Sequence, residues 1–330
     1  MNSKEIIKKT LEFNSPERVG RTFQNSDFIW CSNTVKTYAT DWVQVGESRW
    51  ERTDEWGNLW ARLDPNSKGE VVQGVLKNIE DIYFYEFADF SNYNDYCIAE
   101  ETVDNYPEKW VIGSMPGFTF NISRQLFKME NYLCNILLEP KYMHNLHDRI
   151  DILLHQMIEN YAKAGVDSIM FPEDWGTQTQ LLISPQLWYE EYFPRFKKLC
   201  EKAHECGIKV FMHSCGFICE IIPGLIKAGI DLFQFHQPML HGIDKLAVYQ
   251  GKSRITFMCP VDIQKTLQTK DEQLIRSEAR ELLDKLWKGK GGFIADFYSD
   301  NDSIGLESKW QQYACEEFIA RGKRRLYSKN

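Results

Sequence analysis

The chain has 330 residues, 43% of them hydrophobic and 26% charged, and a formal net charge of -8. This length can bury a substantial core, and the composition is that of a globular protein. The negative charge disfavours a surface that binds nucleic acid or anionic membranes, so neither partner is expected.

The first residues and the cysteines indicate a cytoplasmic protein. The opening MNSKEIIKKTLEF lacks the apolar segment of a signal peptide, and no apolar stretch approaches the roughly 18 residues of a membrane-spanning helix. The nine cysteines form no regular framework, which favours reduced thiols over disulfides. Those thiols are therefore available for chemistry.

Residues 1–107 are predicted to form a β-rich N-terminal elaboration that includes the first strands of the main fold. The segment DEWGNLWARLDPNSKGEVVQGVL alternates apolar and polar positions around Gly, Asn and Pro. This pattern is typical of short antiparallel strands. Trp56 and Trp60 lie in this segment, and we expect them to be packing residues.

From residue 108 onward the sequence repeats a unit in which an apolar, strand-like run precedes an amphipathic helix. The six runs are WVIGSMPG, SIMFPEDWG, IKVFMHSCG, DLFQFHQP, ITFMCPVD and FIADFYSD. The helices carry the usual terminal signals: Ser184 and Pro185 are suited to begin one, and Gly207 to follow its end. Strands that alternate with helices predict a parallel sheet.

Six such units, with space for two more upstream, favour a closed (β/α)8 TIM barrel of the α/β class over an open sheet. No glycine-rich dinucleotide fingerprint supports the open alternative. We therefore predict a single domain over residues 1–330, in which 108–330 hold the remaining barrel units and the functional site. In such a barrel the carboxyl ends of all strands meet at one mouth.

Side chains that bind metal ions follow several of these strands. His213 and Cys215 stand two residues apart in HSCG, and Cys259 ends a later strand. Carboxylates follow two further strands, at Glu173, Asp174, Asp296 and Asp300. His-x-Cys alone is a weak signal, since a buried Cys is usually a small hydrophobe. A histidine, two cysteines and carboxylates at one mouth nevertheless suit zinc, which accepts N, S and O ligands.

The stretch AGVDSIMFPEDWGTQTQLLISPQLWYEEYFPRFKKLCEKAHECGIKVFMHSCG, followed by IIPGLIKAGIDLFQ, resembles the uroporphyrinogen decarboxylase superfamily and, within it, the cobamide-dependent methyltransferases. The resemblance extends from SPERVGRTF to YACEEF, nearly the whole chain. Decarboxylases proper hold a polycarboxylate on an arginine-rich N-terminal segment. The matching stretch here offers only Arg18 and Arg21, so porphyrinogen decarboxylation is not expected.

The resemblance also implies a ligand set. The methyltransferases bind zinc through His-x-Cys, which matches His213 and Cys215, and through a distant Cys after the last strand. This sequence reads FYSDNDSIG there and has no Cys. Two substitutes are open: Cys259, which we favour because its strand ends at the same mouth, or a carboxylate, Asp296 or Glu173.

The activity that the resemblance implies is methyl transfer between a small donor, such as a methyl ether that undergoes O-demethylation, and the cobalt of a corrinoid. We expect a separate corrinoid protein to carry that cofactor, because the chain is too short to add a corrinoid-binding domain to a barrel. The alternatives are methylation of a thiol or a folate by the methylcorrinoid, metal-free decarboxylation of a smaller acid, and a non-catalytic barrel that binds a tetrapyrrole or corrinoid partner. A homodimer is left open.

Glu173 and Asp296 are the candidate general acids, if burial raises their pKa. Capping of the helix that follows its strand is the alternative role for Glu173. The residues expected to line the substrate pocket are Trp175, Phe235, His236, Gln237 and Tyr298.

Overall fold

The computed structural model describes residues 1–324 and contains a parallel and an antiparallel sheet. Within these residues the strands are β1 (Gly20–Arg21), β2 (Phe28–Cys31), β3 (Val43–Gly46), β4 (Arg49–Thr53), β5 (Leu59–Arg62), β6 (Glu70–Gln73), β7 (Trp110–Ser114), β8 (Ser168–Pro172), β9 (Lys209–His213), β10 (Leu232–Gln234), β11 (Thr256–Cys259) and β12 (Phe293–Ala295). Each of the six runs predicted from residue 108 onward contains one of these strands.

Eight parallel strands form the main sheet, in the order β1-β12-β11-β10-β9-β8-β7-β2. The Asp27 N–H donates to the Arg21 carbonyl oxygen (2.9 Å), which joins the segment before β2 to β1 and nearly closes the cylinder. The antiparallel sheet, in the order β3-β4-β5-β6, lies before residue 107. The predicted TIM barrel with an N-terminal β-rich elaboration is confirmed, while the boundary at residue 107 stays a prediction.

Helices surround the barrel. They are α1 (Ser3–Leu11), α2 (Cys97–Asn105), α3 (Thr119–Leu126), α4 (Met129–Leu138), α5 (Pro140–Lys163), α6 (Pro185–Leu187), α7 (Phe193–Glu205), α8 (Ile222–Ala228), α9 (Pro238–His241), α10 (Ile243–Ser253), α11 (Glu272–Leu282) and α12 (Ser308–Arg321). The π-helical segments Trp188–Tyr192 and Leu283–Trp287 precede α7 and extend α11. In the described part of the chain, no helix is both long and apolar enough to cross a membrane.

The barrel strands divide the core into two layers, because successive side chains of a strand point to opposite faces. The layer inside the cylinder consists of Ile7, Phe28, Trp110, Ile112, Met170, Phe211, Leu232, Met258 and Ile294. Side chains of the opposite alternation, such as Val111 and Phe171, pack against the helices. Ile7 belongs to α1, so this helix contributes to the interior layer near the start of β1, where a Cβ at Gly20 would lie 2.6 Å from it.

The N-terminal elaboration packs through its tryptophans. Trp56 is fully buried, as expected, and its ring lies 6.0 Å from the rings of both Phe87 and Phe90. The Trp60 indole N–H donates to Asp54 (2.6 Å). The hairpin between β5 and β6 extends to the loop that follows β12, since Lys68 Nζ lies 5.5 Å from the centre of the Tyr298 ring.

Candidate functional site

The barrel mouth is formed by side chains that continue the alternation of the interior layer. His213 follows Phe211 on β9, Gln234 follows Leu232 on β10, and Asp296 follows Ile294 just after β12. His213 and Gln234 are direct neighbours in the register of β9 and β10. Gln234 donates to Asp296 Oδ2 (2.7 Å), which links the ends of β10 and β12 past the intervening β11. Polar side chains therefore replace the apolar layer where the strands end.

Asp174, His213 and Cys215 bring an oxygen, a nitrogen and a sulfur ligand to one point of this mouth. Their ligand atoms all lie within 4.8 Å of one another, and no other such group of three occurs in residues 1–324. His213 Nε2 lies 3.3 Å from Cys215 Sγ and 3.9 Å from Asp174 Oδ1. The Cys215 N–H donates to Asp174 Oδ1 (2.7 Å). The donor set fits zinc, which binds imidazole, thiolate and carboxylate.

Two glycines allow the loops that carry these ligands to approach. A Cβ on Gly216, whose φ is +79°, would lie 2.0 Å from the Gly176 carbonyl oxygen. A Cβ on Gly176 would lie 2.5 Å from the Phe217 carbonyl oxygen. The Phe217 N–H in turn donates to the Thr177 carbonyl oxygen (2.7 Å). The contact therefore requires glycine on both sides, and it holds the Asp174 loop beside Cys215.

The protonation states at the site follow from desolvation. Burial lowers the pKa of His213, which favours the neutral imidazole that a metal ion needs. Desolvation, together with the Asp174 carboxylate, raises the pKa of the Cys215 thiol to about 12. Within the described residues His213 Nδ1 is buried without a hydrogen-bond partner. The ring is therefore oriented through Nε2, which contacts Cys215 Sγ at 3.3 Å and faces Asp174.

Cys259 does not join this group, contrary to the prediction that it is the third ligand. Its neighbour Met258 faces the barrel interior, so alternation turns Cys259 towards the helices, where it is fully buried. Burial raises the pKa of its thiol well above the ordinary value. Asp174 stands in the place that was predicted for Cys259.

Glu173 lies away from the mouth and caps a helix. Its carboxylate accepts hydrogen bonds from the N–H groups of Phe118 (2.8 Å), Phe120 (3.0 Å) and Asn121 (3.2 Å), at the start of α3. Burial raises the pKa of Glu173 to about 8, while these donors oppose the rise. The helix that it caps follows the preceding strand β7, not its own strand β8. Its oxygens are committed to α3, which argues against a role as general acid or metal ligand.

Trp175 and Phe235 also face the helix layer rather than the mouth. Trp175 is fully buried and stacks on Phe120, with 4.0 Å between ring centres. Phe235 is 1% exposed and packs on Phe233 and Phe257. Both follow an inward-facing residue by one position, which turns them outward. Their predicted substrate contact is thus corrected to core packing.

His236 and Tyr298, by contrast, lie at the mouth beside the metal-binding trio. The His236 ring is centred 4.6 Å from that of His213 and meets the Tyr298 ring edge-on at 4.9 Å. His236 Nε2 lies 3.8 Å from Asp296 Oδ2. Gln237, the next residue, is hydrogen-bonded to Gln178 (3.3 Å). Burial is the main reason that the pKa of His236 falls well below its usual value.

Asp296 is held in place by three hydrogen-bond donors besides its proximity to His236. Its carboxylate accepts from the Thr22 hydroxyl (2.6 Å), the Phe297 N–H (2.8 Å) and the Gln234 amide. Burial raises its pKa, and these donors oppose the rise. Asp296 is thus suited to orient His236, and it does not contact the trio as a ligand.

Several residues of the mouth were not predicted. A cavity of about 240 Å³ adjoins His213, and its lining includes Trp30, Ser114, Met115 and Pro172. Arg124 on α3 lies 3.8 Å from Asp174 Oδ2, and Lys68 approaches from the antiparallel sheet. Trp30 could have been found from alternation, because it follows the inward-facing Phe28 by two positions. Lys68 gives no such signal, since a separate sheet positions it.

Comparisons with known proteins agree with the fold. The family model described as uroporphyrinogen decarboxylase (URO-D) matches residues 102–297. A methyltransferase from Methanosarcina mazei aligns over 97% of this chain and 86% of its own, at 13% identity and a TM-score of 0.62. A B12-independent methionine synthase from Shewanella sp. W3-18-1 aligns over 96% of this chain and 86% of its own, at 11% identity and a TM-score of 0.47. Curated protein sequences give no match.

At 13% identity the similarity to the Methanosarcina mazei methyltransferase establishes the fold and no more. The family match, however, spans more than half of the chain and includes β7 to β12, the loops that carry the trio, and His236. It confirms the superfamily that the central sequence block predicted. The chain belongs to the uroporphyrinogen decarboxylase family.

Proposed function

We propose that the protein is a zinc-dependent methyltransferase that moves a methyl group between a small methylated donor and the cobalt of a separate corrinoid protein. The observation that carries the proposal is the meeting of Asp174, His213 and Cys215 at the mouth of a TIM barrel. Family membership supports it, and so does the fold shared with a protein described as a methyltransferase. Active sites of TIM barrels lie at this end of the strands.

The three donors would hold zinc through His213 Nε2, Cys215 Sγ and an Asp174 carboxylate oxygen. Three protein ligands leave one position for a substrate atom, as in catalytic zinc sites. A bound zinc ion supplies Lewis-acid stabilisation of the oxygen or sulfur that gains charge during methyl transfer. The loop contact at Gly176 and Gly216 keeps the donors together before the ion binds.

His236 takes the place in proton transfer that was predicted for Glu173, and Asp296, whose pKa is raised by burial, stays a candidate general acid beside it. His236 faces the mouth, while the Glu173 carboxylate is enclosed by N–H donors from α3. The neutral ring can donate one hydrogen bond and accept another, and Asp296 near Nε2 favours the tautomer that carries its proton there. With that proton directed at Asp296, the other ring nitrogen, Nδ1, would accept a hydrogen bond or a proton from a group at the substrate, so His236 would act as a base.

The environment of the arginines disfavours decarboxylation of a porphyrinogen. The Arg18 guanidinium donates to both oxygens of the buried Asp27 carboxylate (2.7 and 2.6 Å), so its charge is already compensated. Arg21, the other arginine of that stretch, lies beside it and has a buried Nε without a partner in the described part of the chain. Arg21 is therefore the one cation of this stretch that could meet a polycarboxylate, and a single cation is not the set that such a substrate needs. The cavity beside His213 instead suits a small donor with an aryl or alkyl group.

Metal analysis combined with a transfer assay tests the proposal. Protein purified with zinc should hold one ion per chain and methylate cob(I)alamin from a methyl ether, a reaction followed by the change in the corrinoid spectrum. Cys215→Ser should lose both properties. Cys206→Ser, which removes a thiol at the end of α7, is the matched control and should retain both. Full zinc content and transfer in Cys215→Ser would contradict the proposal, and a wild-type protein that holds no zinc and transfers no methyl group would favour the lyase alternative.

A further inference from the structure

Two consecutive carboxylates after β8 attach their loop to α3. Glu173 accepts hydrogen bonds from three N–H groups at the start of this helix. Asp174, the next residue, pairs through Oδ2 with Nη2 of Arg124, which lies further along α3, at 3.8 Å. The loop is therefore fixed to α3 at two points, and the second of them is a member of the metal-binding trio.

A buried asparagine orients the Arg124 guanidinium. Asn121, three residues before it on α3, is 4% exposed, and its Oδ1 accepts from both Nε (2.9 Å) and Nη2 (2.6 Å) of Arg124. The Asn121 N–H is one of the three that bind Glu173. Two donors of one planar group meet a single acceptor on a helix, so the guanidinium is directed towards Asp174 before a metal ion binds.

The two oxygens of Asp174 have different partners. Oδ1 accepts from the Cys215 N–H (2.7 Å) and lies 3.9 Å from His213 Nε2, so it faces the other two members of the trio. Oδ2 faces Arg124, and within residues 1–324 Asp174 is the one carboxylate with which Arg124 forms an ion pair. Oδ1 is therefore the oxygen that is available to a metal ion, while Oδ2 is held by a cation.

This difference matters because a carboxylate can bind a metal ion through one oxygen or through both. Zinc with His213, Cys215 and one Asp174 oxygen would keep one of its four positions open, as catalytic zinc sites do. A second oxygen from Asp174 would fill that position. The contact with Arg124 opposes this, since Oδ2 would have to leave a cation in order to reach the ion.

We infer that Arg124 is a positioning residue that restricts Asp174 to one ligand oxygen and so keeps a coordination position open for the substrate. The inference rests on the proposed function and assigns α3 a part in that same site. Arg124 acts through Asp174 and needs no contact with the substrate. Hydrogen-bond and ion-pair partners of metal ligands commonly fix ligand orientation in this way.

Cobalt(II) in place of zinc tests this inference without turnover, because its visible spectrum reports the ligand geometry. Wild type and Arg124→Met would be stripped of metal, loaded with cobalt and titrated with imidazole, a ligand for the open position. The wild type should bind imidazole with a change of spectrum. Arg124→Met should bind it about 10–100-fold more weakly, because the second Asp174 oxygen would compete for the position. Imidazole is neutral, so the lost charge by itself would leave its affinity unchanged.

Further variants separate positioning from a general structural role. Arg124→Lys should restore imidazole binding, because an ammonium can also pair with the Asp174 carboxylate. Arg49→Met, which removes an arginine paired with Glu51 (2.7 Å) at the protein surface, should bind as the wild type does. Asn121→Ala takes the place of Arg124→Met if that variant does not fold, and should weaken imidazole binding in the same direction. Full imidazole affinity in the folded variant, or a loss that Arg124→Lys does not restore, would overturn the inference.

Failure of this inference can be told apart from failure of the proposed function. Metal uptake and methyl transfer, with imidazole affinity unchanged in Arg124→Met, would refute the role of Arg124 alone. Imidazole binding that depends on Arg124, in a protein that transfers no methyl group, would refute the proposed function and leave the role of Arg124 standing. A wild type that takes up neither metal would overturn both.

Discussion

The close contact between two glycines predicts that a single methyl group at Gly216 disrupts the metal site. In Gly216→Ala the new Cβ would lie 2.0 Å from the Gly176 carbonyl oxygen, and the residue keeps a φ of +79°. The left-handed backbone costs a non-glycine residue about 1–2 kcal/mol. Relief of the overlap adds about 1–3 kcal/mol and must separate the Asp174 loop from Cys215. We expect a free energy of unfolding lower by about 2–5 kcal/mol.

Gly207→Ala is the matched control for this substitution. Gly207 has nearly the same φ, +82°, but no atom lies within 4 Å of the position of its Cβ. The free energy of unfolding of Gly207→Ala should fall only by the cost of the left-handed backbone, and this variant should bind zinc as the wild type does. Denaturant unfolding of the metal-free proteins measures the stability difference, and competition with a chromophoric chelator measures zinc affinity. We expect Gly216→Ala to bind zinc at least tenfold more weakly. Wild-type zinc affinity in this variant would refute the reasoning that the loop contact builds the site.

Three further predictions concern individual side chains. Cys259→Ala should keep its zinc and lose only stability, measured by metal analysis and denaturant unfolding; loss of zinc would return Cys259 to the ligand set. Because the pKa of the metal-free Cys215 thiol is raised to about 12, binding should release its proton, and zinc affinity should rise about tenfold per pH unit between pH 6 and 8. A pH-independent affinity, after correction for the chelator, would contradict this. His236→Asn should keep zinc and lower kcat by about 10²–10⁴-fold, whereas unchanged kcat would exclude it from proton transfer.

The barrel could be predicted from the sequence because the signals for its strands and helices lie within short stretches of the chain. Each strand is a short apolar run, each helix is amphipathic, and their regular alternation favours a single architecture. The pairing of His213 and Cys215 could be predicted equally well, since residues two positions apart are neighbours without any tertiary information. Asp174 follows the strand beside theirs, so its proximity also follows from the order of the sheet.

The predictions that the structure corrects share a physical cause. Strands of a parallel sheet are buried on both faces, so they read as continuous apolar runs in which the alternation of side chains is hidden. In ITFMCPVD no pattern reveals that Met258 faces the interior and Cys259 the helices. The same ambiguity explains why Trp175 and Phe235 were wrongly predicted to line the substrate pocket. Glu173 and Lys68 differ, because each acts on an element that is distant in the chain, and only the packed structure brings them together.

The most direct test of the central claim is X-ray absorption at the zinc edge of the metal-loaded protein. The account predicts one sulfur ligand at about 2.3 Å, with the remaining ligands nitrogen or oxygen at about 2.0–2.2 Å. The sulfur signal should vanish in Cys215→Ser and persist in Cys259→Ala. Two sulfur ligands, or a sulfur signal that is lost in Cys259→Ala, would contradict the assignment of Asp174, His213 and Cys215 as the metal centre.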